Sequence, residues 1–461
     1  MKLIACLFVL AITSLLNAAD TLSVGFAEVD VTPVIGKTPV YLAGFGQGRK
    51  ATRVHDPLMA RAVVLGDGRG KIAIVSVDVV GVFLTSVERI RSELPGFQYV
   101  LVSATHNHEG PDTLGLWGPN PLVPGLDADY LAKLGAGCVA AVKQASASLK
   151  PAVVKIGTAK APELIRDNRL PEVKHDDLVA IEFLDPKTDA ALGTIVQWNC
   201  HPEVLDSKNT EITADFVGYA VRKIRERRKA SVVYLTGTVG GLMTTLRLKV
   251  TDAAGKELSD GTFEKAERYG EMLAELADRA LASAVPATLT PFTVKTQRVL
   301  LPIDNNLYRL AWKLGTLRRP IFRWDGEPTP RDFVESIDIA KPVAVRSEVG
   351  YLKLGELEVA VIPGEIYPEL VLDRVQNPVD PGADYPMAAI EPAIYPAMKA
   401  KHRILIGLGN DELGYILPKR QWDEKPPYCY GLKKAQYGEE NSLGPETGPI
   451  LCKVFRDLVN R

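Results

Sequence analysis

Tyr99-Val100-Leu101-Val102-Ser103-Ala104-Thr105-His106-Asn107-His108-Glu109-Gly110-Pro111 is the stretch on which the reading of this chain turns. Tyr99 to Ala104 is a short apolar run rich in valine, which reads as a buried strand. In extended backbone, residues two apart point to the same side, so His106 and His108 converge just beyond the strand's carboxyl end. Gly110-Pro111 then turns the chain away. Carboxyl ends of strands are where open α/β sheets place ligands. Two imidazoles at that spacing suit a divalent metal, and they equally suit a pair of structural histidines in a polar turn.

The segments on either side repeat the theme of short β-rich runs alternating with amphipathic ones. Ala60 to Leu65, Lys71 to Val77, Leu178 to Leu184, Thr194 to Trp198 and Val232 to Leu235 read as strands. Asp129 to Leu149, Asp215 to Lys229 and Thr262 to Ser283 have helical spacing. Alternation of this kind predicts an α/β fold: a mixed, largely buried β-sheet core flanked by helices, with the site at strand carboxyl ends. No period of 20–50 residues recurs, which excludes solenoids and propellers. Asp304 to Arg346 breaks the pattern, mixing Trp312, Phe322 and Trp324 with arginines and prolines. A long irregular insertion is expected there, as a lid, a substrate wall or a packed surface excursion.

The chain has 461 residues, 46% hydrophobic and 24% charged, which is globular composition and excludes a disordered class. Lysine and arginine (55) nearly balance aspartate and glutamate (56), so no nucleic-acid partner is expected. Lys2, the apolar run Leu3 to Leu16 and the small residues Ala18 and Ala19 have the layout of a secretory signal peptide. Residues 1–19 are therefore read as a leader cleaved near Ala19, and 20–461 as an exported chain long enough for one large or two ordinary domains. No later apolar run is long enough to span a membrane. Of the remaining cysteines, Cys138, Cys200, Cys429 and Cys452, none forms a CxxC pair. Export would permit a bridge between Cys429 and Cys452; buried free thiols are the alternative.

Other apolar runs also end in residues that can carry chemistry. Ile195 to Trp198 leads into Asn199-Cys200-His201-Pro202. Leu357 to Ile362 leads into Pro363-Gly364-Glu365, with Glu365 near the start of a helix running from Pro368 to Val375. A fourth run, Ile404 to Leu408, leads into Gly409-Asn410-Asp411-Glu412-Leu413-Gly414-Tyr415. Two imidazoles, a carboxylate and one more oxygen suit Zn²⁺ with room for water, whose pKa such a site lowers to ~7. Gly-x-Ser-x-Gly is missing, which argues against a serine hydrolase. His-x-His-x-Asp-His is missing too, since Glu109-Gly110-Pro111 follows the histidine pair.

Taken together, these motifs resemble the neutral/alkaline ceramidases. Thr105-His106-Asn107-His108-Glu109-Gly110-Pro111 is similar to that family's Thr-His-Thr-His-Ser-Gly-Pro. Gly25 to Pro33, His55 to Ala62 and Ile74 to Asp78 resemble its opening strands, and Cys200-His201-Pro202, Pro363-Gly364-Glu365 and Gly414-Tyr415 follow in the family's order. The resemblance implies a secreted or membrane-associated zinc amidase, with 20–461 as its single catalytic domain and 304–346 as a candidate lid. It implies His106, His201, Glu365 and Tyr415 as zinc ligands, and His108 at the water or the developing oxyanion. It further implies Arg169 near the scissile carbonyl and Tyr437 as an oxyanion donor. Two departures stand out. Gly237-Thr238-Val239-Gly240-Gly241 replaces the family's Gly-Asp-Val-Ser-Pro, and the sequence to Arg461 does not include the family's C-terminal immunoglobulin-like domain.

The expected function is an exported zinc hydrolase of N-acyl amide bonds acting on a lipid or small-molecule amide, with peripheral membrane contact allowed. A catalytically silent surface-binding module on the same scaffold, and a zinc esterase or lactonase, are the alternative readings.

Overall fold

The computed structural model describes residues 21–36 and 38–461; the expected leader, residues 1–19, lies outside them. Strand Tyr99–Ala104 is buried along its whole length and pairs in parallel with Lys71–Val77. These two form one edge of a sheet that continues through Met59–Gly66, Ser23–Asp30 and Lys150–Pro151. A second sheet runs Ser231–Thr236, Ala191–Trp198, Asp177–Leu184, Val153–Lys160 and Val285–Ala287, and its parallel pair, Ala191–Trp198 with Ser231–Thr236, also lies at the edge. A third is built on the long antiparallel pair Phe292–Pro302 and Val343–Leu354, and ends in the parallel pair Leu357–Val361 and His402–Ile406.

Valine, isoleucine and leucine side chains from all three sheets meet in one apolar interior, including Ile74, Leu101, Ile195, Leu235, Val359 and Ile406. The three edges are sewn together where the parallel pairs end. Asn410 N donates to Val102 O (2.7 Å) and Asn410 Oδ1 accepts from Val102 N (3.0 Å). Gly407 N donates to Thr236 O (2.9 Å), and Thr236 Oγ1 donates to Thr105 O (2.8 Å). Edge strands expose unpaired backbone groups, and here each edge supplies partners for the next.

Helices cover the outer faces. Ala128–Ala147 packs on the first sheet, and Asp127 caps it by accepting from Asp129 N and Tyr130 N. Asp215–Arg228 and Phe263–Ala282 pack on each other and on the second sheet; Thr447–Asn460 packs on the third. The predicted mixed α/β core flanked by helices is what the structure shows. The helix predicted over Pro368 to Val375 stops at Leu372, because Asp373 takes a left-handed conformation (φ 60°). The 304–346 insertion is less irregular than expected: it holds helix Asn306–Lys313 and strands Ile321–Arg323 and Glu335–Ser336, which extend the third sheet with the start of Val343–Leu354. Cys138, Cys200, Cys429 and Cys452 are all free and buried. No helix among the described residues is long and apolar enough to cross a membrane.

Gly407 shows how tight the seam is. A Cβ there would stand 2.2 Å from Gly237 O, a backbone atom of the second sheet. Gly407→Ala must push the two sheets apart and is expected to cost about 1–3 kcal/mol, read as a lower denaturation midpoint at unchanged slope. A midpoint within error of wild type would contradict this account of the seam.

Candidate metal centre

His106 and His108 converge, though not through the extended backbone that the sequence suggested. His106 is left-handed (φ 68°), an uncommon state for a non-glycine residue. Its N–H bonds Val79 O at 3.1 Å, while His108 N donates to Pro202 O at 3.1 Å and so ties the motif to the His201 turn. Strained backbone is retained where the surroundings over-determine it, and Leu408 (φ 47°) and Asn410 (φ 66°) share that property at the same seam. The rings of His106 and His108 stand 4.9 Å apart, centroid to centroid, and those of His106 and His201 4.7 Å.

The second nitrogen of each ring fixes what the first can do. His106 Nδ1 is 2.7 Å from Val80 O, and His201 Nδ1 is 2.9 Å from Met243 O. A carbonyl only accepts, so each Nδ1 carries a proton, and in the uncharged ring each Nε2 presents a lone pair. Both Nε2 atoms face one oxygen of Glu365: Oε2 lies 3.3 Å from His106 and 3.0 Å from His201. With both rings uncharged the three donors repel, and a cation among them would relieve this; without one, Glu365 outweighs burial and raises His106, whose protonated ring can donate to the carboxylate. Donors around a tetrahedral zinc with bonds of about 2.0–2.1 Å stand roughly 3.3 Å apart, against 3.3 and 3.0 Å from Glu365 Oε2 to the two nitrogens here. His106, His108 and His201 each offer a ligand nitrogen, all within 4.8 Å of one another, and can hold a metal ion. The residues therefore fit a zinc ion. Burial alone would raise the Glu365 carboxyl, but the imidazoles of His106 and His201 outweigh it and hold it well below the usual carboxylate range.

Tyr415 joins through a two-residue parallel pairing in which Glu365 lies opposite it. It is buried, 6.5 Å from the His201 ring and 5.6 Å from that of Tyr437, centroid to centroid. Burial, then the Glu365 carboxylate, push its phenol well up, so it is a neutral hydroxyl unless a cation is at hand. His108 packs edge-on against Phe45 and against Gly44, where a Cβ would stand 2.2 Å from the ring. Its Nδ1 has no hydrogen-bond partner and lies 3.5 Å from Glu203 Oε2. Burial and the neighbouring His106 and His201 hold His108 well below the ordinary histidine value, so it is uncharged.

The centre opens into a cavity of about 390 Å³. Phe45, Phe83, Leu114, Trp117 and Leu413 give it apolar walls, and Tyr437 lines it with its side chain half exposed. Tyr308, Leu317 and Arg319 bring the 304–346 insertion into the same wall. Arg169 does not line it. Its two terminal nitrogens grip the Glu439 carboxylate (2.8 and 2.6 Å) and donate to the carbonyls of Tyr437 and Gln421, both at 3.0 Å. The departure at 237–241 has a steric reason: a Cβ on Gly240 would stand 2.3 Å from the Tyr367 ring and 2.5 Å from Ile366 C. The strand that carries Glu365 takes the room a serine would need. In place of the family's aspartate, Thr238 is 2.9 Å from His175 Nδ1 through its hydroxyl.

Sequence reasoning did not find Glu203, which accepts from Thr244 and faces His108. It also missed the carbonyls that orient the histidines. Backbone acceptors leave no trace in residue type, and Glu203 follows the His201-Pro202 turn with no pattern of its own. Glu412 lies in the fourth strand-end stretch, which was singled out as a whole.

Comparison with known proteins agrees with the geometry. The family model described as neutral/alkaline non-lysosomal ceramidase, N-terminal, matches residues 22–246. No curated protein matches the sequence. A crystal structure of neutral ceramidase from Pseudomonas aeruginosa aligns with a TM-score of 0.69 at 15% identity, over 95% of this chain and 74% of that one. A structure of ceramidase complexed with C2 aligns with the same TM-score and identity, over 95% of this chain and 75% of that one. Residues 22–246 thus carry the neutral/alkaline ceramidase N-terminal signature, and the chain around them has the neutral ceramidase fold.

Proposed function

We propose that this chain is an exported zinc-dependent hydrolase of N-acyl amide bonds, acting on ceramide or another lipid or small amide. The observation that supports it most is the convergence of His106 Nε2 and His201 Nε2 on one Glu365 oxygen, at 3.3 and 3.0 Å. His106, His201, Glu365 and Tyr415 would hold the ion. When bound, zinc supplies Lewis acidity toward a carbonyl oxygen and toward water.

The chain's own residues would do the rest. Uncharged His108 takes a proton from the attacking water and returns it to the nitrogen as the carbon–nitrogen bond breaks, so the amine leaves neutral. Glu203, beside His108 Nδ1, stabilises the imidazolium in between. The Tyr437 hydroxyl donates to the carbonyl oxygen as negative charge gathers on it. Arg169 acts one step back in this scheme, holding the Tyr437 backbone in place. The apolar walls suit an acyl chain. Leu307, Leu310 and Leu314 are exposed on and just after the helix that brings Tyr308 to the cavity, which supports contact with a lipid surface.

Purified wild type should hold close to one zinc per chain by metal analysis and release a fluorogenic N-acyl amide. His106→Ala should lose both the metal and the activity; equal metal and equal turnover in the two proteins would reject the site. His108→Ala should keep its zinc while kcat falls by about 100- to 10,000-fold. If His108→Ala instead loses the metal with its activity, His108 is a ligand and not a base. Tyr437→Phe should lower kcat about 100-fold or more at unchanged zinc content, and a kcat within twofold of wild type would remove Tyr437 from the mechanism.

A further inference from the structure

His106 and His201 are each oriented by a bond from Nδ1 to a backbone carbonyl, Val80 and Met243. His108 has no such bond, since its buried Nδ1 lacks a hydrogen-bond partner. A ring without that tether keeps its direction only through what packs against it. Two neighbouring residues do the packing. Gly44 (φ 91°) lies so close that a Cβ would stand 2.2 Å from His108 Cγ, and the Phe45 ring meets the imidazole edge-on at 5.1 Å between centroids.

One buried side chain joins this wall to the histidine. Arg49 is 9% exposed and does not line the cavity. Its Nη2 donates to Ala43 O, just before Gly44, at 2.6 Å, and also to the carbonyl of His108 itself. Its Nη1 donates to Glu109 Oε2 at 3.1 Å and to Asn209 O at 3.3 Å. The guanidinium carbon stands 5.0 Å from the centre of the Phe45 ring, close enough for a cation–π contact. A buried guanidinium needs an anion beside it, and Glu109 supplies one. The remaining N–H groups are then free for carbonyls, in the rigid planar fork that lysine lacks.

We propose that Arg49 is the positioning residue of His108. By bonding the Ala43 and His108 carbonyls together it fixes the gap between the Gly44–Phe45 wall and the imidazole, and with it the direction of the ring toward the metal centre. The effect on catalysis rests on His108 as the base of the amide-hydrolase reading; the effect on the ring does not.

Arg49→Lys keeps a cation beside Glu109 and removes the fork. In zinc-loaded protein isotopically labelled at histidine Cε1, wild type should give a single sharp His108 resonance, assigned by its loss in His108→Ala. Arg49→Lys should broaden or split that resonance and leave those of His106 and His201 in place. An unchanged His108 resonance, or equal disturbance of all three, would overturn the proposal whether or not the chain cleaves amides. On a fluorogenic N-acyl amide, Arg49→Lys should lower kcat about 10- to 100-fold at unchanged zinc content, with KM within about twofold. In a His108→Ala background the same substitution should change kcat by less than about twofold, because the group it positions is gone. An equal loss in both backgrounds would show a structural role and overturn the proposal. If wild type turns over no amide while the resonances behave as expected, the amide-hydrolase reading falls and the positioning of the ring is supported. Should Arg49→Lys fail to fold, Arg49→Met paired with Glu109→Gln leaves no buried charge unpaired and carries the same expectations and the same contradictions.

Discussion

Two imidazole nitrogens and a carboxylate oxygen, all lone-pair donors, point at one place in the interior of this protein. Each imidazole commits its Nδ1 proton to a backbone carbonyl, Val80 for His106 and Met243 for His201, which turns both Nε2 atoms toward the carboxylate. A cation at their centre would relieve the crowding of these donors, and the rest of the architecture can be understood as what holds those three atoms there. Each comes from the end of a parallel strand pair, and each pair lies at the edge of a different sheet. The hydrogen bonds that join the edges, from Asn410 to Val102 and from Gly407 to Thr236, set the distances between donors as much as the strands do.

The same seam shows why the site tolerates local strain. His106, Leu408 and Asn410 are left-handed, and all lie where chain from one sheet crosses to another. Gly240 is small because the backbone after Glu365 runs against it, so replacement of the family's serine is a packing consequence of how closely these strands approach. The hydrogen-bonded pairing of Arg169 with Glu439 likewise fixes the Tyr437 loop against the mouth of the cavity.

Much of this could be read before any coordinates. Buried strands such as Tyr99–Ala104 and Lys71–Val77 were evident because valine and isoleucine fill them end to end, and the long helices because their apolar residues recur with helical spacing. His106, His201 and Glu365 were found because each follows such a strand. Other parts were not readable, for physical reasons. The long pair Phe292–Pro302 and Val343–Leu354 is joined by 40 residues of insertion, so no turn signal announces it. The left-handed state of His106 goes with its bond to Val79 and with that of His108 to Pro202, both distant in sequence. That Arg169 is spent on Glu439 and two carbonyls follows from a loop packing more than 250 residues away, which no local pattern encodes.

The central claim is a positive charge shared by His106, His201 and Glu365, and anomalous diffraction at the zinc edge from crystals of the purified mature chain tests it most directly. The account predicts a single strong peak about 2.0–2.2 Å from His106 Nε2, His201 Nε2 and a Glu365 carboxylate oxygen. A peak elsewhere in the molecule, or none there after soaking with zinc at neutral pH, would contradict it.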